Sequence, residues 1–310
     1  MKDLYSVAGI SKQGLWKYRE REEKMKQIIQ DTVGIMKDIR IRHKRMGCRS
    51  MYYANQRPIA VGRDIFEQIG FANGFKLHLK RNKLKTTWSQ RVLVYPNLIE
   101  GMTVTGINKV WQSDIFYLKV EDQDYYGFSI EDVYSRRLLA LHLAKDLRAI
   151  QVKRALHQAI RVRNGQDLKG CIFHSDRGSQ YISKEVTQLL HENDIKISMC
   201  KMPQENAYVE RIQGTIKYQY LFEIKLKENN LIYEVKKIMQ YYNFEKPHSE
   251  LQHLSPVKFE EMVENMPERE RPKFKIFKWS QGLSTNPEVL NKKEKRSKKE
   301  KSQQTTKVDS

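Results

Sequence analysis

The chain has 310 residues, of which 57 are Lys or Arg and 37 are Asp or Glu, so its formal net charge is +20 at pH 7. Hydrophobic residues make up 39% of it, which is enough for one or two cores and excludes wholesale disorder. No apolar run reaches the roughly 18 residues of a membrane span, no signal peptide is evident, and three scattered cysteines support neither a disulfide framework nor a zinc site. We therefore expect a folded, basic, cytoplasmic protein.

The positive charge is concentrated at the two ends of the chain. Residues 1–108 carry 21 basic and 9 acidic residues, residues 109–262 carry 23 and 21, and residues 263–310 carry 13 and 7. Lys and Arg beside phosphates raise affinity without reading sequence, so basic flanks around a nearly neutral core indicate binding to nucleic acid. A surface that only maintains solubility is the alternative. Residues 291–310 have almost no apolar side chains, and we predict that they are disordered.

The first hundred residues have the pattern of short helices. Apolar residues recur at helical spacing from Ile28 to Ile39, a basic run follows at 40–49, and a second apolar set from Ile65 to Ile69 ends at Gly70. Two short helices with basic residues between them favour a helix-turn-helix, whose second helix would lie in a DNA groove. A small helical bundle with a solvated basic face fits the pattern equally well.

From Val110 onward β-forming residues dominate. We predict strands at 110–120, 125–133 and 138–144, and their short connectors predict an antiparallel meander. Helices and short strands then alternate, with helices at 149–162 and 183–192, strands at 171–174 and 195–199, and a long helix from about Asn206. This order is typical of an α/β mixed sheet with helices on its faces.

Three carboxylates in this segment lie at positions that secondary-structure propensity does not explain. Asp114 interrupts the apolar strand VWQSDIFYL, and Asp176 follows a strand end in HSDRGSQY. Glu210 lies on the long helix, where Gly214 and Lys217 share its polar face. Each has an ordinary alternative: a solvent-facing strand residue, a turn aspartate, or a residue in the first turn that complements the helix dipole. Together, oxygen ligands on separate elements are what hard divalent cations require.

Four ordered motifs carry a family resemblance. They are VWQSDIFYL, HSDRGSQYIS, NAYVERIQGTIKYQYL and, at 241–259, YYNFEKPHSELQHLSPVKF. Together they resemble the DDE transposases of bacterial insertion sequences, and more closely the second-reading-frame, OrfB-type proteins related to retroviral integrases. The likeness runs from about Asp31 to Met262.

The resemblance implies a fold and a division of the chain. The fold would be α/β, a ribonuclease H-like mixed sheet with flanking helices, preceded by a small all-α helix-turn-helix region. The parts would be an N-terminal helical segment at 1–30, a helix-turn-helix-like DNA-binding region with a linker at 31–108, an integrase catalytic core at 109–262, and a basic, largely disordered tail at 263–310.

The resemblance also implies the site. Asp114, Asp176 and Glu210 would be both the catalytic residues and the metal ligands, holding Mg²⁺ or Mn²⁺, with two ions expected. Only 33 residues separate Asp176 from Glu210, slightly fewer than is usual in the family, so Glu205 is the competing candidate. Lys217 matches a basic position that approaches the DNA end in integrase relatives. The candidate DNA contacts are Lys217, Arg211, Arg45 and Arg49.

The function implied is transposition: metal-dependent cleavage at the element's ends and strand transfer into target DNA, without a covalent protein intermediate. The implied partners are the terminal inverted repeats, target DNA and further copies of the chain, in a bacterial, nucleoid-associated setting without a membrane. A separate first-reading-frame helix-turn-helix protein is a further candidate partner. Two alternatives are a non-catalytic DNA-binding repressor from a decayed element and a structure-selective nuclease on the same fold.

Overall fold

The computed structural model describes residue 9 and residues 11–77, 95–200 and 203–276. The tail predicted to be disordered, at 291–310, lies outside the described residues, as does part of the predicted linker, at 78–94. Within the described ranges, no helix combines the length and the apolar character that crossing a membrane requires.

Three helices form the N-terminal part of the structure, which we call the helical unit (residues 11–77). They are α1 (Lys12–Arg42), α2 (Cys48–Ala54) and α3 (Arg63–Ala72). Their shared core contains Ile35, Met36, Ile39, Met46, Cys48, Met51 and Phe66. Gly70 allows α3 to approach closely, because a Cβ at that position would lie 2.7 Å from Cys48 Sγ.

The expectation of only short helices is wrong for α1, which continues for 31 residues. Its first half is polar, but Glu, Lys, Arg and Met are strong helix formers, so the helix extends without an apolar stripe. The boundary expected at residue 30 therefore falls inside α1. The basic run at 40–49 spans the end of α1 and the start of α2, and the short helix pair that follows is α2 and α3.

A mixed sheet forms the centre of the second part, the sheet unit (residues 95–276). The strands are β1 (Thr103–Val104), β2 (Val110–Val120), β3 (Gln123–Asp132), β4 (Leu138–Ala144), β5 (Ile172–Ser175), β6 (Lys196–Met199) and β7 (Phe274–Lys275). Five of them form one sheet in the order β4-β3-β2-β5-β6, while β1 pairs with β7. The pairs β2–β3 and β3–β4 are antiparallel, and β2–β5 and β5–β6 are parallel. This is the predicted ribonuclease H-like sheet.

Helices cover both faces of the sheet. They are α4 (Ala149–Val162), α5 (Lys184–Glu192), α6 (Ala207–Thr215), α7 (Leu231–Gln240) and α8 (Pro256–Glu264). The apolar sides of α4 and α5 pack on Trp111 and Phe128. On the other face, α6 and α7 pack on Phe116 and Leu118. Because side chains alternate along a strand, the even-numbered residues of β2 near Phe116 face α6.

The long helix predicted from Asn206 is not α-helical throughout. α6 ends at Thr215, and the chain then forms a π-helical turn at Ile216–Tyr220. A similar turn at Tyr241–Glu245 follows α7. A π-helical turn holds more residues than an α-helical turn, so it shifts the phase of the faces after it. Ile216 and Tyr220 are buried as expected.

Direct hydrogen bonds join the helical unit to the sheet unit. The ring of His43, just after α1, lies 2.8 Å from the hydroxyl of Tyr220 and 3.2 Å from a carboxylate oxygen of Glu245. Arg42 donates to the same carboxylate at 2.7 Å. Burial lowers the pKa of His43 to about 4. The neutral imidazole therefore joins the end of α1 to both π-helical turns.

A buried ion cluster fixes α8 to the rest of the sheet unit. Arg163, at the end of α4, donates to both carboxylate oxygens of Glu260 on α8 and, at 3.2 Å, to Asp132 at the end of β3. Burial by itself would raise the pKa of Glu260, but the Arg163 guanidinium holds it below its usual value. Glu260 is therefore ionised and paired inside the protein.

Glu131 is a third buried carboxyl, and among the described residues no basic side chain forms an ion pair with it. Neither carboxyl oxygen has a hydrogen-bond partner among the described residues, and burial raises its pKa to about 8, with only partial opposition from Arg136. Because the pKa is higher in the folded state, the stability that this group contributes is complete below about pH 4.5 and is lost as the pH rises to about 8.

Replacing Glu131 by Gln is therefore expected to raise the free energy of unfolding above pH 8 by about 2–4 kcal/mol. The gain should shrink towards zero near pH 4.5, where the native carboxyl is also neutral. Urea unfolding at several pH values measures it. A stability difference that does not change with pH would contradict the assignment.

Candidate active site

The strand register places two of the predicted carboxylates side by side. The last parallel pair between β2 and β5 joins Ser113 to Ser175, and Asp114 and Asp176 each follow by one residue. Neighbouring strands lie about 4.8 Å apart, and residues at matching positions of parallel strands point to the same face. Asp114 shares the face of Phe116, which is the face covered by α6. The register therefore brings Asp176 near Asp114, and the charge of Asp176 acts on the Asp114 carboxyl.

Three hydrogen bonds fix the start of α6 to β2. The side chain of Gln112 donates to the carbonyl of Glu205 at 3.2 Å and accepts from the backbone N–H of Val209 at 3.3 Å. Asn206 donates to the carbonyl of Ser113 at 3.0 Å. The first turn of α6, which carries the third predicted carboxylate, is thereby held over β2. Sequence reasoning missed Gln112, whose signal is an amide in an otherwise buried strand.

The three carboxylates share one electrostatic environment. Burial, together with the negative charges of Asp176 and Glu210, raises the pKa of Asp114 to about 7. Burial also raises the pKa of Glu210. Gln213, one turn after Glu210, opposes the shift by hydrogen bonding to the Asp114 carboxylate, and it also donates to Ser129 at 3.2 Å. The site is thus a partly buried concentration of negative charge.

The competing acid, Glu205, has a different environment. It lies in the short 3₁₀ turn Pro203–Asn206, is 7% exposed, and accepts a hydrogen bond from Asn97 at 2.8 Å. Its charge helps to raise the pKa of Cys200, after burial and Asp176. The main charges that raise the pKa of Asp114 are those of Asp176 and Glu210. The charge of Glu210 therefore acts on Asp114, whereas Glu205 is hydrogen-bonded to Asn97.

The donor set suits a hard cation. All three side chains offer carboxylate oxygens, and a bound cation would relieve the repulsion that raises the pKa of Asp114. Within the ranges that the structure describes, no three His, Cys, Asp or Glu side chains form a group that could hold one ion.

Lys217 lies beside this face of the sheet. Its ammonium nitrogen is 5.7 Å from the centre of the Phe116 ring, two residues along β2 from Asp114, and burial lowers the pKa of the lysine. The Phe116 ring lies across Gly127 on β3, where a Cβ would come within 2.3 Å of it. The lysine predicted to contact DNA is thus close to the carboxylate face.

The three arginines predicted to contact DNA are spread over the surface. Arg211 is well exposed on α6 and forms an ion pair with Glu250. The other two belong to the helical unit: Arg45 pairs with Glu223 at 3.1 Å, and Arg49 pairs with Glu67 of α3 at 3.1 Å. The structure does not bring Arg45 or Arg49 to the carboxylates.

The sequence His174-Ser175-Asp176 does not form a hydrolytic triad. The ring of His174 is buried and lies 2.9 Å from the hydroxyl of Ser198, and burial lowers its pKa to about 4. Ser175 donates to the backbone carbonyl of Asp176 rather than to the histidine. His174 therefore packs inside the sheet unit, and it does not act as a base for Ser175.

Comparison with known proteins identifies the family. Two family models, both described as integrase core domain, match residues 105–203 and 193–256. The IS600 uncharacterized 31 kDa protein of Shigella sonnei is 28% identical over 276 residues, covering 85% of this chain and 99% of that protein. The transposase for IS904 of Lactococcus lactis is 31% identical over 172 residues, covering 53% of this chain and 66% of that protein. The chain belongs to the integrase-core transposases of insertion sequences.

Asp114 and Asp176 of this integrase-core transposase fall within the first match, and Glu210 falls within the second. Among solved structures, the transposase is similar to the HTLV-2 integrase catalytic core domain in complex with magnesium. The TM-score is 0.40 and the sequence identity 22%, over 49% of this chain and 95% of that one.

Proposed function

We propose that this transposase cuts DNA strands at the ends of its element and joins them to target DNA, with Asp114, Asp176 and Glu210 holding two divalent ions. The observation that supports the proposal is that the charges of Asp176 and Glu210 both act on Asp114. Asp114 on β2 and Asp176, just after the end of β5, each follow a serine of the last parallel pair, and Glu210 lies on the helix that is fixed over β2. Asp114 is central, because both other charges raise its pKa.

The central position of Asp114 suggests how two ions would be shared. One ion would be held by Asp114 and Asp176, and the other by Asp114 and Glu210. Mg²⁺ or Mn²⁺ bound in this way would supply charge neutralisation at the phosphate and activation of the attacking oxygen. The oxygen donors and the unrelieved repulsion between them fit this role.

The protein's own side chains position the reacting groups. Gln213 hydrogen-bonds to the Asp114 carboxylate and partly opposes the rise in its pKa, and Gln112 fixes the helix that carries Glu210. Lys217, on the same face, offers a positive charge to a DNA phosphate.

Cleavage and joining are the same substitution at phosphorus. In the first, water attacks the phosphorus and gives up a proton, the bond to the 3′-oxygen breaks, and that oxygen takes up a proton, leaving a 5′-phosphate and a free 3′-hydroxyl. In the second, the freed 3′-hydroxyl attacks a target phosphodiester, loses its proton and displaces another 3′-oxygen, which is protonated in turn. Because no bond to the protein forms, one set of carboxylates serves both steps.

An oligonucleotide assay tests the proposal. The full chain is incubated with labelled duplexes that end in the inverted repeats flanking its coding region, in MgCl₂, MnCl₂ or EDTA. Nicked and joined products are expected with either metal ion and not with EDTA. Binding without cleavage in either ion would favour the repressor alternative. Cleavage with no preference for the repeats would favour the structure-selective nuclease.

Glu210→Gln is expected to lower the cleavage rate about a thousandfold, because a metal ligand contributes several kcal/mol to the transition state. Glu205→Gln, the matched change five residues earlier, should keep the rate within about tenfold of wild type. Both variants are assayed after their thermal unfolding has been shown to match that of wild type. The reverse order of rates would assign the third carboxylate to Glu205.

A further inference from the structure

A cleft of about 500 Å³ lies between the helical unit and the sheet unit. One wall contains the end of α1 and the segment after α2, including Arg42 and Arg57. The opposite wall contains the π-helical turn at Tyr241–Glu245 and the start of α8, including Ser255 and Lys258. The cleft therefore adjoins both parts of the protein and lies next to the contact made by His43.

The first turn of α8 is not capped in the usual way. Ser255 occupies the N-cap position, yet its hydroxyl makes no hydrogen bond to the helix. The residue is only 4% exposed, and among the described residues its hydroxyl has no hydrogen-bond partner. By contrast, the hydroxyl of Ser183, the N-cap of α5, accepts from the backbone N–H of Val186 at 3.4 Å. An unpartnered buried hydroxyl costs free energy unless a ligand bonds to it.

The charge at this helix end favours an anion. The first turn of α8 has no acidic residue, and it carries Lys258 at the positive end of the helix dipole, where a cation is unfavourable for the helix itself. Across the cleft, Arg42 and Arg57 are paired with Glu245 and Asp38, at 2.7 and 2.8 Å. Lys258 also lines the cleft, and it forms no ion pair with a carboxylate in the described part of the chain.

We infer that the first turn of α8 binds a phosphodiester group of the DNA backbone within this cleft. The phosphate oxygens would accept hydrogen bonds from Ser255 Oγ and from the N–H groups of Val257 and Lys258, which have no acceptor within the helix. The ammonium of Lys258 would supply the charge. The inference rests on the proposed function for its ligand: the cleft lies between a strongly basic N-terminal region and the unit that carries the carboxylates.

Fluorescence anisotropy with a labelled duplex, titrated at several salt concentrations, tests the inference on the full chain. Lys258→Ala should weaken binding to all sequences alike and reduce the slope of log affinity against log salt by about 1, because one phosphate contact is lost. Ser255→Ala should weaken binding about tenfold. Because its hydroxyl does not cap the helix and is buried without a partner among the described residues, this variant should unfold at or above the wild-type temperature.

The start of α5 provides the matched controls. Ser183→Ala removes a working cap, so it should lower the unfolding temperature and leave DNA affinity unchanged. Lys184→Ala removes an exposed lysine from the first turn of α5 and should leave the salt slope unchanged. If Ser255→Ala lowers only DNA affinity and Ser183→Ala lowers only stability, the Ser255 hydroxyl contacts the ligand and the Ser183 hydroxyl stabilises the fold.

Wild-type binding to DNA combined with unchanged affinity and slope in both α8 variants would overturn the inference and leave the proposed function intact. Absence of DNA binding by the wild type would overturn both. A third measurement adds inorganic phosphate at constant ionic strength and follows thermal unfolding. Stabilisation of wild type but not of Ser255→Ala, with equal DNA affinities, would assign the cleft to a free anion and overturn the inference.

Discussion

Asp114→Asn is expected to reduce DNA cleavage and strand transfer at least about a thousandfold while making the protein more stable. Asn has the shape of Asp but is a poor ligand for a hard cation, so the chemistry is lost. The substitution also removes a carboxyl whose pKa is raised to about 7 by burial and by the charges of Asp176 and Glu210. Without divalent ions, the free energy of unfolding at pH 8 should rise by about 1–3 kcal/mol.

The direction of the stability change follows from the pKa. A carboxyl whose pKa is raised by folding contributes full stability below about pH 3.8, and that contribution is lost as the pH rises to about 7. The gain from Asn should therefore vanish near pH 4 and be complete above pH 7. Urea unfolding in EDTA measures the gain, and the oligonucleotide assay measures the loss of activity.

Two further variants and a binding measurement complete this test. Asp176→Asn should lose activity to a similar extent, whereas Asp124→Asn, an exposed aspartate near the hairpin between β2 and β3, should remain active. DNA binding should persist in all three variants, because none of them removes the lysines proposed to contact phosphates, Lys217 and Lys258. Cleavage near the wild-type rate by both Asp114→Asn and Asp176→Asn would refute the metal assignment.

The largest expected loss of stability is at the buried ion cluster. Arg163→Met would leave Asp132 and Glu260 buried without their guanidinium partner, and breaking a buried pair in this way costs about 3–5 kcal/mol. Arg137, which also contacts Glu260, is partly exposed and can compensate only in part. Denaturant unfolding measures the loss.

An exposed arginine on the same helix provides the control. Arg161→Met should change stability by less than about 0.5 kcal/mol, because its side chain is in solvent. Adding Glu260→Met to Arg163→Met should recover part of the loss, since it removes one of the unpaired buried carboxylates. A cost below about 1 kcal/mol for Arg163→Met would show that water or a shifted side chain solvates the two acids.

The sheet was largely predictable from sequence. Runs of β-forming residues separated by short polar connectors predicted β2 and β4 with the bounds that the structure has, and an amphipathic stripe did the same for α4. Asp114 stood out because a carboxylate inside an apolar strand contradicts local propensity. These signals come from residues that are close together in sequence. The spacing of apolar residues marks a strand or helix wherever one of its faces is buried.

The residues that hold the site and the surrounding fold in position could not be predicted from such local patterns. Gln112, Gln213 and Arg163 act on residues far away in sequence, and a buried amide or arginine gives no periodic signal. The two π-helical turns were missed because their residues are ordinary helix formers. The length of α1 was underestimated because its first half has no buried face, so hydrophobic periodicity could not mark it.

The hydrogen bonds of His43 connect the helical unit directly to the sheet unit. Tyr220 ends the same helical segment that carries Glu210, so a tilt of α1 against the sheet unit would pull on the helix above the aspartates. The end of α1 and the helical segment above the aspartates therefore cannot move apart without breaking a buried hydrogen bond.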